Sequence, residues 1–288
     1  MERAHDAVEM LDRPAPFADL SQNLDDIARF NAFFGGARLT MRHVKRLVAD
    51  LPRDRRVTVL DVGTGGGDIP RALVRWARRA GRSIRIFALD RDGETLRAAA
   101  LRMAGYPEVT LVRGDALALP VRPCSVDVAI SALVLHHLPP AEAAVSLAEM
   151  DRAARRGLVA NDLFRSRLAH AVVWLTTRLL ARNRMSRHDG PMSVRRAYTL
   201  GEVESLARRA DLADVRVHRH AWALRLCAVR TTTQHSPRRS STQPSPQGFA
   251  LQLELPRLRD QLSPRLASAR RRPSPRTAGS VSARTSRP

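Results

Sequence analysis

The densest run of chemically useful residues in this sequence is Val59-Leu60-Asp61-Val62-Gly63-Thr64-Gly65-Gly66-Gly67-Asp68. Glycines in such a run let the chain turn tightly and bring backbone N–H groups close to a ligand. Loops of this kind serve several nucleotide ligands, so the flanking acids decide what is held. Asp61 stands two residues before the first glycine, where a carboxylate can accept a hydrogen bond from an ammonium group. Asp68 occupies the place of the third glycine in the dinucleotide pattern GxGxxG, at the start of a predicted helix. A pyrophosphate would be repelled there, whereas a ligand without phosphate leaves the acid free to cap the helix. Asp90, 23 residues past Gly67, can hold both hydroxyls of a ribose. Asp115, in Gly114-Asp115-Ala116, can accept from the N6 amine of adenine.

Ammonium, ribose and adenine without phosphate describe S-adenosylmethionine (SAM). Each of these acids alone also reads as a helix cap or turn residue. Four of them at successive strand ends, where open α/β sheets bind ligands, point to a site. Methyl transfer from a sulfonium asks mainly for positioning, and a hydroxyl acceptor gains from a base that takes its proton. The candidates are His136, His137, His188 and Asp162. His136-His137 follows the predicted fourth strand, and helix entry is their ordinary alternative. His188 lies in Arg187-His188-Asp189-Gly190-Pro191, which reads as a polar loop because Asp-Gly-Pro is turn chemistry. Asp162 ends the predicted fifth strand, where a capping role competes. Histidine suits a base near neutral pH. No group of residues has metal-ligand spacing, so no metal is expected.

The elements that must position these residues alternate as βαβα over residues 56–162. Predicted strands lie at Val57–Leu60, Ser83–Leu89, Val109–Val112, Val126–Ile130 and Gly157–Ala160, with helices at about 68–80, 94–103 and 140–154. This rhythm predicts a doubly wound, mostly parallel sheet covered on both faces. Residues 1–55 read as an N-terminal helical cap, with Leu20, Leu24, Ile27, Phe30 and Phe34 at helical spacing and a break at Gly35-Gly36. Arg29, Asn31 and Phe33-Phe34 could cover the pocket or simply pack on the sheet. Beyond the fifth strand come an apolar helix at about 166–181, a helix at Leu200–Arg209, and two runs, Asp214–His218 and Ala223–Val229. Their close spacing predicts an antiparallel edge pair that completes seven strands and a catalytic domain over 56–230. The apolar helix, with Trp174 and basic ends at Arg165, Arg167, Arg178 and Arg182, reads as core packing, as a wall for a greasy acceptor, or as a weak membrane-surface contact. Residues 231–288, rich in Ser, Pro, Thr, Gln and Arg, read as a disordered tail.

Composition narrows the partners. The net charge of +21 first suggests nucleic acid. Lys45 is the only lysine among 49 basic residues, a skew that reads as coding bias rather than selection for phosphate contacts. The 231–288 tail has eleven arginines against Glu254 and Asp260, leaving +12 on residues 1–230. Aromatic residues, at 4%, are too few for a base-stacking surface. Cys124 and Cys227 form no CxxC pair and fit a reducing, cytoplasmic setting. The acidic N-terminus lacks the apolar core of a signal peptide, and no run of about 18 apolar residues occurs.

The runs DVGTGGGDIP, ALD, GDALALP and VDVAISALVLHHL resemble the class I SAM-dependent methyltransferase superfamily, in particular its ubiquinone/menaquinone and small-molecule O-methyltransferases. The likeness is good over about 55–162 and looser to 230. It implies that Asp61, Gly63 and Gly65 line the methionine part, Asp90 the ribose, Asp115 with Ala116 the adenine, and Ser131 the fourth-strand edge of the pocket. Thr64 and Arg91 belong to the same cofactor-binding set. Gly67-Asp68 departs from the small or apolar residue common there. Val159-Ala-Asn-Asp162-Leu-Phe-Arg-Ser, with Arg187-His-Asp-Gly-Pro, is similar to a bacterial subgroup associated with type III polyketide synthases, which implies O-methylation of a phenolic or pyrone acceptor in secondary metabolism. Other readings stay open. Asp61 and Asp68 argue against an NAD-dependent oxidoreductase. Ser131-Ala132-Leu133 stands where an RNA base methyltransferase would carry an (N/D)PP(Y/F) motif. A non-catalytic SAM-binding protein would keep the same glycine loop.

Overall fold

The computed structural model describes residues 1–212 and 214–232; the expected tail falls, but for its first two residues, outside them. Two helices, α1 (Phe17–Phe33) and α2 (Gly36–Leu47), precede β1 (Val57–Val62), α3 (Asp68–Arg79), β2 (Ile84–Asp90), α4 (Gly93–Arg102), β3 (Val109–Arg113), β4 (Val126–Ala132), α5 (Pro140–Ala153) and β5 (Ala154–Leu163). Then follow α6 (Arg167–Leu180), α7 (Arg184–Arg196), α8 (Leu200–Arg209), β6 (Arg216–His220) and β7 (Arg225–Thr231). One seven-stranded sheet runs in the order β3-β2-β1-β4-β5-β7-β6. The first five strands are parallel, and β7 enters antiparallel between β5 and β6.

Side-chain alternation along the strands builds two cores. Val57, Val59, Val128, Ile130 and Val159 face α2 and α3, meeting Val44, Leu47, Leu73 and Val74. Leu60, Val62, Ala129, Leu158 and Ala160 face the opposite way, onto Leu147 and Met150 of α5 and Val203 and Leu206 of α8. Strands buried on both sides read as continuous apolar runs, which is why the short ones were legible. β5 is longer than its Gly157–Ala160 core predicts, because antiparallel pairing with β7 extends as far as Leu163↔Arg225. The chain leaves β1 toward β2 and later returns to its other side with β4, so a crevice opens at the carboxyl ends of β1 and β4, where such sheets bind ligands.

One expectation is overturned. Residues 187–191 are not a polar loop but the middle of α7, with Pro191 inside the helix. Pro191 offers no N–H to the Arg187 carbonyl, a real loss for a helix. Tertiary contacts outweigh it. Asn183 caps the helix, its side chain accepting from the Met185 N–H at 2.7 Å. Its amide also donates to the Asp19 carbonyl and to Gln22 Oε1 of α1, at 3.0 and 3.1 Å. Gly190 lies against α6 so closely that a Cβ there would sit 2.7 Å from Thr177 Cγ2. Asp189 is buried and accepts from the Met10 and Leu11 N–H groups at 2.8 and 3.0 Å. Asn183→Ala removes the cap and two bonds to α1, and urea unfolding of this variant is expected to show a loss of about 1–3 kcal/mol.

Candidate active site

The glycine loop takes its shape from three left-handed residues, Gly63, Gly65 and Gly67. A side chain is excluded at Gly63 on two grounds: φ is +71°, and a Cβ would lie 2.4 Å from Val134 Cγ2. Thr64 N–H donates to the Leu89 carbonyl at 2.8 Å, and Gly65 N–H donates to Asp90 Oδ2 at 2.9 Å. The loop is therefore tied to the end of β2. Strand register lines up the rest: Val62 pairs with both Leu89 and Ser131, and Asp90 pairs with Arg113, after which the chain reaches Asp115.

Three carboxyl groups crowd this loop. Asp61 is 2% exposed, and its Oδ2 has no hydrogen-bond partner. Burial, with the nearby Asp68 and Asp90, pushes the Asp61 carboxyl up to about 7 despite the Thr64 hydroxyl. Burial also raises Asp68 and Asp90, against their hydrogen bonds from Asn31 and Gly65. A buried carboxylate oxygen without a donor calls for one. The ammonium and sulfonium of SAM are positive and fit this acid-lined site, whereas a pyrophosphate does not. Asp90 keeps acceptor capacity beyond the Gly65 and Asp92 N–H groups it already serves.

The N-terminal helix covers the loop. Leu24 lies over Gly65 and Gly66, and Asn31 Nδ2 donates to Asp68 Oδ2 at 2.7 Å. Asn31 Oδ1 in turn accepts from Arg225 Nη2 at 3.2 Å. Asp26 anchors the same helix to the α6–α7 junction by accepting from the Arg182 and Asn183 N–H groups. Of the residues singled out for a covering role, Asn31 makes such a contact, while Phe33 is exposed.

A second polar group lies where β4 and β5 end. The His136 ring is 2% exposed, and its Nδ1 lies 2.6 Å from Asp162 Oδ1. Asp162 also accepts from the His136 and Leu163 N–H groups. Burial works against ionisation of Asp162, but the His136 ring and these bonds outweigh it and hold the carboxyl below its usual range. An ionised carboxylate only accepts, so His136 Nδ1 donates to it, and in the neutral ring Nε2 carries the lone pair. Nε2 looks toward Glu9 Oε1, 3.7 Å away. His137 lies beside it, with Nδ1 3.0 Å from Asp12 Oδ1 and Nε2 3.9 Å from Glu9 Oε2. Burial drives Glu9 up to about 7, although His137, Arg196 and the Ser193 hydroxyl pull it down. Asp12 goes the other way: burial is outweighed by its bonds to His137 and Arg196, and its carboxyl is strongly lowered.

The structure thus brings Asp61, Gly63, Thr64, Gly65, Asp90 and Ser131 to one end of the sheet, with Arg91 and Asp115 on its exposed rim beside Ala116. Asp115 forms a local turn, accepting from the Leu117 N–H at 2.9 Å. Among the base candidates, Asp162 and His136 are paired and His137 adjoins them. His188 is half-exposed on α7 with its Nδ1 on Asp189. Glu9, Asp12 and Arg196 were not anticipated. They meet the histidines across more than 50 residues of sequence, and nothing local marks them.

Residues 59–157 match the methyltransferase-domain family. The chain is 39% identical over 85 residues to a 2-phytyl-1,4-naphtoquinone methyltransferase of Thermosynechococcus vestitus, covering 29% of this chain and 36% of that protein's length. It is similar in fold to a protein of Methanococcus maripaludis assigned as an S-adenosyl-L-methionine-dependent methyltransferase (14% identity, TM-score 0.54, 79% of this chain and 99% of that one). It is also similar to a protein of Nostoc punctiforme assigned as an O-methyltransferase (16% identity, TM-score 0.55, 80% of this chain and 64% of that one).

The state of Asp61 gives a signed pH dependence. With its proton held up to about 7, Asp61 must ionise before it can pair with an ammonium group. SAM affinity is expected to weaken by about tenfold per pH unit below 7 and to level off above it. Isothermal titration between pH 5.5 and 8 checks this, and Asp61→Asn should bind more weakly with a flatter profile.

Proposed function

We propose that this chain, which carries the methyltransferase domain of the class I SAM-dependent superfamily, methylates a hydroxyl of a small phenolic, pyrone or quinol-like acceptor. The observation that carries the hydroxyl assignment is the buried His136–Asp162 pair at the ends of β4 and β5. It stands on the segment whose Val134 packs against Gly63. SAM supplies a methyl group on a sulfonium with a neutral leaving group. Asp61 receives the ammonium end and Asp90 orients the ribose. His136 Nε2 takes the acceptor proton, and Asp162 fixes the ring and stabilises the imidazolium that results. That imidazolium lies between Asp162 and Glu9, and Glu9 titrates near neutrality. The turn carrying Glu9 is then the element that yields to admit the acceptor oxygen.

The quinone-type relative supports an aromatic, greasy acceptor. So does α6, whose solvent side exposes Leu168, Trp174, Leu175, Leu179 and Leu180. With Arg178 and Arg182 nearby, that face also suits weak contact with an anionic membrane surface, though no helix among the described residues is long and apolar enough to cross one. The two free cysteines keep a cytoplasmic setting within the proposal.

The first experiment is thermal unfolding of the full chain with SAM and, in parallel, NAD. SAM at about 100 times its dissociation constant should add about 2.7 kcal/mol and raise Tm by roughly 5–10 °C. NAD should leave it unchanged; a rise with NAD alone would overturn the cofactor reading. Turnover is then measured as S-adenosylhomocysteine released over a panel of phenols, pyrones and quinols. His136→Gln is expected to lower kcat by about 10²–10⁴-fold, and Asp162→Asn should follow it. His188→Ala should keep near-normal turnover; its loss instead would move the base to α7.

A further inference from the structure

A second set of donors lies on the α2 face of the sheet, at the β6–β7 hairpin. Cys227 of β7 is completely buried, and its register partner on β6 is His218. His220 closes β6, and His43 descends from α2 onto the same spot. The Cys227 sulfur and one ring nitrogen each of His43 and His220 all lie within 4.8 Å of one another. His43 is 6% exposed, yet its Nε2 has no hydrogen-bond partner; the buried Nε2 of His220 has none either. Two enclosed imidazole nitrogens without a partner, converging with a buried thiol from three elements, form an unmet donor set.

We propose that His43, His220 and Cys227 bind a zinc-type divalent cation that clamps α2 to the β6–β7 hairpin. Imidazole and thiolate together suit zinc, and the absence of carboxylate from the set argues against magnesium or calcium. Tetrahedral zinc sets its ligand atoms roughly 3.3–3.7 Å apart, so modest side-chain rotation closes the remaining gap. His218, whose ring stacks on His43 with centroids 6.0 Å apart, is the candidate for the fourth position. As the metal–sulfur bond forms, the Cys227 thiol releases its proton to solvent, with no redox change. This site departs from the expectation of no metal: its ligands are spread over nearly 190 residues and form no compact motif.

The test titrates the full-length, chelator-stripped chain with Co²⁺ as a spectroscopic stand-in, then with Zn²⁺. One equivalent of Co²⁺ should produce a thiolate-to-cobalt charge-transfer band that Zn²⁺ bleaches. The band should vanish in Cys227→Ser, and apparent affinity should fall at least tenfold in His220→Gln, whose side chain is not deeply buried. It should persist in His137→Gln, which disturbs the other histidine pair. If Cys227→Ser does not fold by circular dichroism, the His220→Gln titration decides alone. Absence of the band in the wild type, survival in Cys227→Ser with loss in Cys124→Ser, or undiminished affinity in His220→Gln would each overturn the proposal.

Discussion

Negative charge held out of water organises this molecule. Asp61, Asp68 and Asp90 sit around one glycine loop, and burial raises all three. Carboxylates in that setting are tolerated only with donors. The loop supplies some through its own backbone, as at Gly65. Others come from far along the chain: Asn31 reaches Asp68, and Arg225 supports Asn31. The covering helix and β7 are therefore tied, through Asn31, to the same acid-lined loop.

The second polar group follows a related logic with a different outcome. Asp162 is as enclosed as Asp61, yet its carboxyl is lowered, first by the charge of the adjoining His136 ring and then by hydrogen bonds from that ring and from two backbone N–H groups. Glu9, with a single hydroxyl donor and an arginine nearby, remains near neutrality. Enclosed acids with opposite shifts on either side of His136 give that ring a fixed orientation on one side and an adjustable neighbour on the other. The contrast comes from how closely a cationic partner and its donors meet each carboxyl.

Most of the sheet was readable because buried parallel strands announce themselves as short apolar runs, and because glycine and aspartate at their ends have few other reasons to recur. The segment 187–191 was misread for a physical reason: Asp-Gly-Pro favours a turn locally, and only the docking of Gly190 on Thr177 and of Asn183 on α1 makes it helical. Propensity lost to packing there. Glu9 and Asp12 were invisible for another reason. Their partners, His136, His137 and Arg196, lie 125 or more residues away, and no periodicity encodes such a meeting. The extended end of β5 was likewise hidden, since its last residues owe their strand form to β7.

The bond from Arg225 to Asn31 has a consequence for the order of events during synthesis. It joins residues 194 apart in sequence, and the Asp189 carboxylate reaches back nearly as far, to Met10 and Leu11. A nascent chain that has emerged only through α5 already contains the glycine loop and both helices that precede the sheet. It lacks the strand that secures Asn31 against Asp68. The full set of groups around the loop acids is therefore complete only once β7 has been made, and a ribosome-bound chain that ends before it carries those acids without the Arg225 support.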